Sequence, residues 1–212
     1  ASHGGTGQEL RLAMLCGLLH DLGEMYIAPQ YGEADAERTL DVQSYQHLVV
    51  HPHVGSLLIE QLTDYPRMVA RAIAEHHEPL DGSGYPQRLQ REVVSSLGRL
   101  LAVTEATLAS QRHPEATLGR ASVALRVVPG EYDLSWVGPL ADAASAQPET
   151  TTSHSAADIQ ARLSALNGTL QLAGERVQVL WREAETPALK NALMLAQHLL
   201  LWLRMGWNAS GL

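Results

Sequence analysis

Phenylalanine is absent from this 212-residue chain, and aromatic residues of all kinds amount to 5%. That scarcity argues against a β-sandwich, and Trp181, Trp202 and Trp207 are expected in the core or an interface, not as a stacking platform for bases. Leucine and alanine dominate the 45% apolar fraction instead, and they favour helix packed on helix. Cysteine occurs once, as Cys16 inside an apolar run, so no intrachain disulfide can form and a reducing cytoplasm is the expected setting. Basic side chains are outnumbered, 15 Lys and Arg against 23 Asp and Glu, for a net charge of −8. The clustered cations that DNA or RNA binding demands are therefore not expected. Uninterrupted hydrophobic runs are missing too. The most apolar stretch, residues 189–207, is broken by Lys190, Asn191, Gln197, His198 and Arg204, which argues against a membrane span. Residues 1–7 are small and polar, unlike a secretory signal.

What is present reads as all-α. Leu12, Leu15, Cys16 and Leu19 fall at helical spacing over residues 8–19, and Gly23 is placed to stop that helix. Residues 29–43 are polar and predict a loop followed by a short helix. A helix over 45–50 is interrupted or restarted at Pro52 and continues over 54–62, with Leu58 and Leu62 inward. Residues 68–77 predict a helix burying Val69, Ala72 and Ile73. The Pro- and Gly-dense stretch 79–89 is a loop. Residues 93–108 return to helix, with Leu97, Leu100, Leu101 and Leu108 on one side, and two short helices over 117–127 and 134–144 flank a turn at Pro129-Gly130.

Composition breaks at residues 146–153, the expected linker. Beyond it Ile159, Leu163, Leu166, Leu170, Ala173, Val177 and Leu180 alternate four and three apart. Thr186 is placed as an N-cap with Pro187 at the first helical position, and Leu189, Leu193, Ala196, Leu200, Leu203 and Trp207 repeat the spacing. The expectation is a domain over 8–145 and an antiparallel helical hairpin over 153–208. Such a hairpin leaves one face uncovered and docks on the core or on a second copy, making a homodimer.

Chemistry concentrates at three points. His20-Asp21 joins an imidazole to a carboxylate at a helix end, His51 precedes Pro52, and His76-His77 ends another helix. Imidazole and carboxylate are the ligands that divalent transition metals prefer, and a carboxylate can bridge two ions in a hydrolytic centre. The rings of His76 and His77 can serve neighbouring metals, or one can orient the other. Glu105 lies mid-helix, where an unpaired carboxylate is costly and coordination would remove the cost. The plain alternatives are a polar helix end at His20-Asp21 and a partly solvated surface carboxylate at Glu105. His53 is expected on the surface, and Cys16 as a small buried hydrophobe.

The His20-Asp21 pair, His51-Pro52-His53-Val54-Gly55 and the string from His76 to Pro86 (His-His-Glu-x-x-Asp-Gly-x-Gly-Tyr-Pro) resemble the HD-GYP family of the HD phosphohydrolase superfamily. The likeness runs on through residues 99–103 and 130–134 and covers roughly 8–144. It implies an HD-type helical bundle around two or three metals, commonly iron or manganese, two if the site is complete. It implies hydrolysis of a cyclic dinucleotide, cyclic di-GMP, to the linear dinucleotide or GMP. Carried over, His20, Asp21, His51, His76 and His77 match metal ligands, with Asp21 the bridging, catalytic one. Glu105 stands where the family has Asp. Gly84, Tyr85 and Pro86 form the loop linked to protein partners. Three departures accompany the match: Glu24 replaces the family's Lys, an upstream Glu or His ligand on an earlier first helix is expected to be lacking, and the phosphate-gripping bases reduce to Arg112 as a shifted candidate, with Glu115 nearby. The resemblance thus implies a phosphodiesterase or, alternatively, a degenerate and inactive signalling module.

Overall fold

The computed structural model describes residues 6–27, 42–112, 116–146 and 155–210. The expected loop and short helix over 29–43, the linker over 146–153 and Glu115 lie largely or wholly outside them. The chain divides into two units, Ala1–Ala146 and Gln147–Leu212. Among the described residues there is no β-strand, only an isolated bridge between Asp81 and Gln90.

In the first unit α1 (Gly7–Leu19) starts at Thr6, whose side chain caps Glu9 while the Glu9 carboxylate answers the Thr6 backbone. This reciprocal box satisfies donors that a helix start would otherwise leave unpaired. A 3-10 turn, Leu22–Tyr26, follows. Then come α2 (Val42–Leu48), α3 (His51–Leu62), α4 (Arg67–Glu75), α5 (Ser96–Gln111), α6 (Leu118–Val127) and α7 (Leu134–Ser145). Pro52 sits in the first turn of α3, where a missing N–H costs nothing, so it restarts the helix.

α4 organises the core. It packs against α3, α5 and α1, and its Val69, Ala70, Ala72 and Ile73 are completely buried with Cys16 of α1, Ile59 of α3 and Leu101 of α5. Truncating Ile73 to alanine in such a cluster costs about 2–5 kcal/mol. A second cluster joins Val103 of α5, Leu125 of α6 and Val137 of α7. Two expected core positions face outward. Leu62, the last residue of α3, is 71% exposed because Ile59 takes the inward position one turn earlier. Leu108 is 52% exposed: one cluster covers α5 at Leu97 and Leu101, the other at Val103 and Ala106, and Leu108 belongs to neither.

The second unit is a pair of long helices, α8 (Ala156–Glu183) and α9 (Pro187–Ser210), in contact with each other. Ser155 and Asp158 form a capping box for α8, and Thr186 accepts from the Leu189 N–H to start α9. Leu170 and Leu193 are buried in the seam, whereas Ile159, Leu166, Leu189 and Leu203 stay exposed. No helix among the described residues is long and apolar enough to cross a membrane.

Candidate metal centre

Four segments of the first unit meet at one point. His20 caps the end of α1, with Asp21 next to it; His51 opens α3; His76 caps the end of α4, followed by His77; Glu105 projects from the middle of α5. The approach of the 3-10 turn after α1 to α3 depends on Gly23. A Cβ there would lie 2.0 Å from the His51 carbonyl oxygen and 2.8 Å from the Gly55 nitrogen. Close backbone contact, more than helix termination, is the reason for a glycine at this position.

Three of the imidazoles are held by one device. The Nδ1 of His20 lies 2.8 Å from the Gly17 carbonyl, that of His51 2.7 Å from the Leu48 carbonyl, and that of His76 2.6 Å from the Ile73 carbonyl. A carbonyl oxygen only accepts, so each Nδ1 carries a proton and each ring turns its Nε2 inward, free to offer a lone pair wherever the ring is neutral. The Nε2 atoms of His51 and His76 stand 3.1 Å apart, and each is 3.5 Å from Asp21 Oδ1. On the other side, His20 Nε2 lies 3.0 Å from Asp21 Oδ2 and 3.2 Å from Glu105 Oε2. Two groups of potential ligands result: Asp21 with His51, His76 and His77, and Asp21 with His20 and Glu105, each with its ligand atoms within 4.8 Å of one another. Asp21 belongs to both, one oxygen to each.

The charges follow from this geometry. Hydrogen bonds to Asp21 and then to Glu105 push His20 up to about 10. Burial pulls His76 down to about 4. Burial also works against the Asp21 carboxylate, but the imidazoles of His20, His51 and His76 gathered around it outweigh this and hold the group far below the usual range. On the His51–His76 side a neutral His76 places two imidazole lone pairs and a carboxylate oxygen around one point. Acceptors crowded in this way fit a cation, and a cation on the other side would displace the proton held between His20 and two carboxylates.

The remaining sequence candidates are arranged around this centre. Arg112, the C-cap of α5, places Nη2 3.9 Å from Glu105 Oε1 and its side chain is half exposed. Glu24 lies in the 3-10 turn directly after Asp21, and its N–H donates to the Asp21 carbonyl. His53 is exposed and Cys16 fully buried, as expected. Tyr85 stacks on His77, with ring centroids 4.6 Å apart and planes at 24°, and its N–H donates to the His77 carbonyl; Gly84 is buried and Pro86 exposed. Sequence reasoning did not foresee the packing of this loop onto the histidines.

A family model described as an HD domain matches residues 5–128. The chain belongs to the HD-GYP/HD phosphohydrolase family. Among its relatives, the cyclic di-GMP phosphodiesterase PA4108 of Pseudomonas aeruginosa is 31% identical over 96 residues, 45% of this chain and 23% of that protein. The 3'3'-cGAMP-specific phosphodiesterase 2 of Vibrio cholerae is 33% identical over 88 residues, 41% of this chain and 16% of that protein. The cyclic di-GMP phosphodiesterase response regulator RpfG of Xanthomonas campestris is 30% identical over 113 residues, 51% of this chain and 29% of that protein. The matched segments thus span less than a third of these relatives. This membership accounts for the helical architecture and for the occurrence of histidine and aspartate at these helix ends.

Proposed function

We propose that this chain is a metal-dependent phosphodiesterase of cyclic dinucleotides, with cyclic di-GMP as substrate and iron or manganese as cofactor, two ions per site. The observation that carries the reading is the convergence of His51 and His76 Nε2 on Asp21 while both Nδ1 atoms are tied to carbonyls. His51, His76 and His77 would hold one ion and His20 and Glu105 the other, with an oxygen of Asp21 available to each group. When bound, such ions polarise a phosphodiester and lower the pKa of water so that it can attack phosphorus. Asp21 presents one oxygen to each side of the centre, and Arg112 beside Glu105 would offer a cation to a phosphate oxygen. The reaction takes place in the cytoplasm. Exposed Pro86 offers a contact for a protein partner beside the site, and the exposed apolar residues of α8 and α9 support self-association, which the mass in solution would test.

A second reading, a signalling module that has lost turnover, is favoured by Glu24. Its carboxylate follows Asp21 by three residues and would repel an anionic substrate. One experiment separates the two. Mn²⁺-loaded protein is incubated with cyclic di-GMP and, in parallel, 3'3'-cGAMP, and the linear product is measured for the wild type, His76→Ala and Glu24→Lys. Turnover by the wild type that His76→Ala abolishes supports the enzyme. Metal binding without turnover, restored by Glu24→Lys, supports the module. Absence of metal binding refutes the centre itself.

A further inference from the structure

Glu78, next to the last histidine of the cluster, is completely buried, yet no part of the proposed reaction uses it. Its Oε1 accepts from the N–H groups of Gln87 and Arg88 at 2.5 and 3.0 Å, and its Oε2 accepts from the Leu89 N–H at 2.9 Å. Three successive backbone donors on one anion form the kind of concavity that elsewhere binds phosphate, here filled by the chain's own carboxylate. Arg88 is held at φ 56°, a left-handed conformation that a non-glycine residue adopts only under restraint, and its N–H is one of the three donors. The same loop is fastened at its other end. An added Cβ on Gly84 would lie 2.2 Å from the His77 carbonyl oxygen and 2.7 Å from Glu78 Cα. Between the two fastenings Tyr85 donates its N–H to the His77 carbonyl and lays its ring on the His77 imidazole.

We propose that Glu78 and Tyr85 are positioning residues for the metal centre: the Glu78 carboxylate fixes the loop over residues 84–89 so that the Tyr85 ring holds the His77 imidazole at the angle a cation requires. The inference rests on the metal-centre reading given above. His20, His51 and His76 are oriented by carbonyls three residues earlier, and the face of His77 is covered by the Tyr85 ring. The GYP segment is then part of the apparatus that sets metal affinity, whatever else it touches. Partners orienting a ligand in this way commonly contribute 10–100-fold to metal affinity.

The test measures Mn²⁺ affinity by chelator competition, ions per chain by elemental analysis, and folding by circular dichroism. The chains are the wild type, Glu78→Gln, Tyr85→Leu, Tyr85→Phe and a control, Ser155→Ala, which removes the cap of α8 in the second unit. Glutamine keeps the shape of Glu78 but turns an NH₂ toward a backbone N–H. The expected result is Mn²⁺ affinity reduced about 10–100-fold in Glu78→Gln and Tyr85→Leu, with Tyr85→Phe close to the wild type because the stack survives. A folded Tyr85→Leu with wild-type affinity overturns the proposal, as does an equal loss in Ser155→Ala. Should Glu78→Gln not fold, the comparison of Tyr85→Leu with Tyr85→Phe decides alone. A wild-type protein that binds no Mn²⁺ refutes the underlying centre, an outcome distinct from the others.

Discussion

Replacing Gly23 by alanine tests whether a single backbone crossing sets the geometry of the centre. The new Cβ would lie 2.0 Å from the His51 carbonyl oxygen and 2.8 Å from the Gly55 nitrogen, whereas real Cβ atoms essentially never approach closer than 3.0 Å. The obstacles are backbone atoms at the start of α3 and cannot swing aside, so the turn must retreat from α3 by at least 1.0 Å, the difference between 3.0 and 2.0 Å. Asp21 is two residues away, and its Oδ1 stands 3.5 Å from both His51 and His76. Metal–ligand distances tolerate shifts of only about 0.2 Å, so a displacement of this size removes Asp21 from the His51 side. Overpacking of this kind costs about 1–3 kcal/mol of stability, small enough for the domain to remain folded. Elemental analysis after Mn²⁺ loading is expected to give fewer ions per chain for Gly23→Ala, with the helical circular dichroism preserved. A folded variant with the full metal complement would refute the claim that this crossing places Asp21.

Other expectations test the frame around the centre. Ser95 caps α5 by accepting from the Gly98 N–H and also donates its hydroxyl to the buried Glu75 carboxylate, so Ser95→Ala loses both bonds. A loss of about 2–3 kcal/mol is expected in denaturant unfolding. Gly17 lies within α1 with open space around it, and Gly17→Ala is expected to raise stability by about 0.5–1 kcal/mol, seen as a higher thermal midpoint. Burial and then the charge of Asp81 push Glu131 up to about 7 from the ordinary 4.5. Between those values the folded state keeps a proton that the unfolded state has released, so this group's contribution to stability falls as pH rises through the window and is constant above it. Glu131→Gln is therefore expected to gain thermal midpoint relative to the wild type between pH 5 and pH 8; parallel pH profiles of the two proteins would contradict this.

The helices were legible because leucine and alanine recur at 3.6-residue spacing and because Thr186-Pro187 marks a helix start through local chemistry alone. His20, His51 and His76 were legible as candidates since each stands at a helix end beside a motif residue. What the letters did not carry is tertiary. No periodicity announces that Asp21 offers one oxygen to each side, or that Gly23 is needed for a neighbouring backbone instead of a helix stop. Leu62 and Leu108 sit in register with buried leucines, yet each lies where the covering helices no longer reach. Glu78 stands inside a motif dominated by histidines, and its three amide partners lie nine to eleven residues further along the chain.

The carbonyls of Gly17, Leu48 and Ile73 that hold the rings each belong to the turn immediately preceding their histidine. The aim of these rings is therefore inherited from the main chain of the preceding helical turn. A cation entering the proposed centre would find the lone pairs of His51 and His76 already converged and would freeze few rotors. Its uptake would then be governed by dehydration and proton displacement, with little rearrangement of the fold.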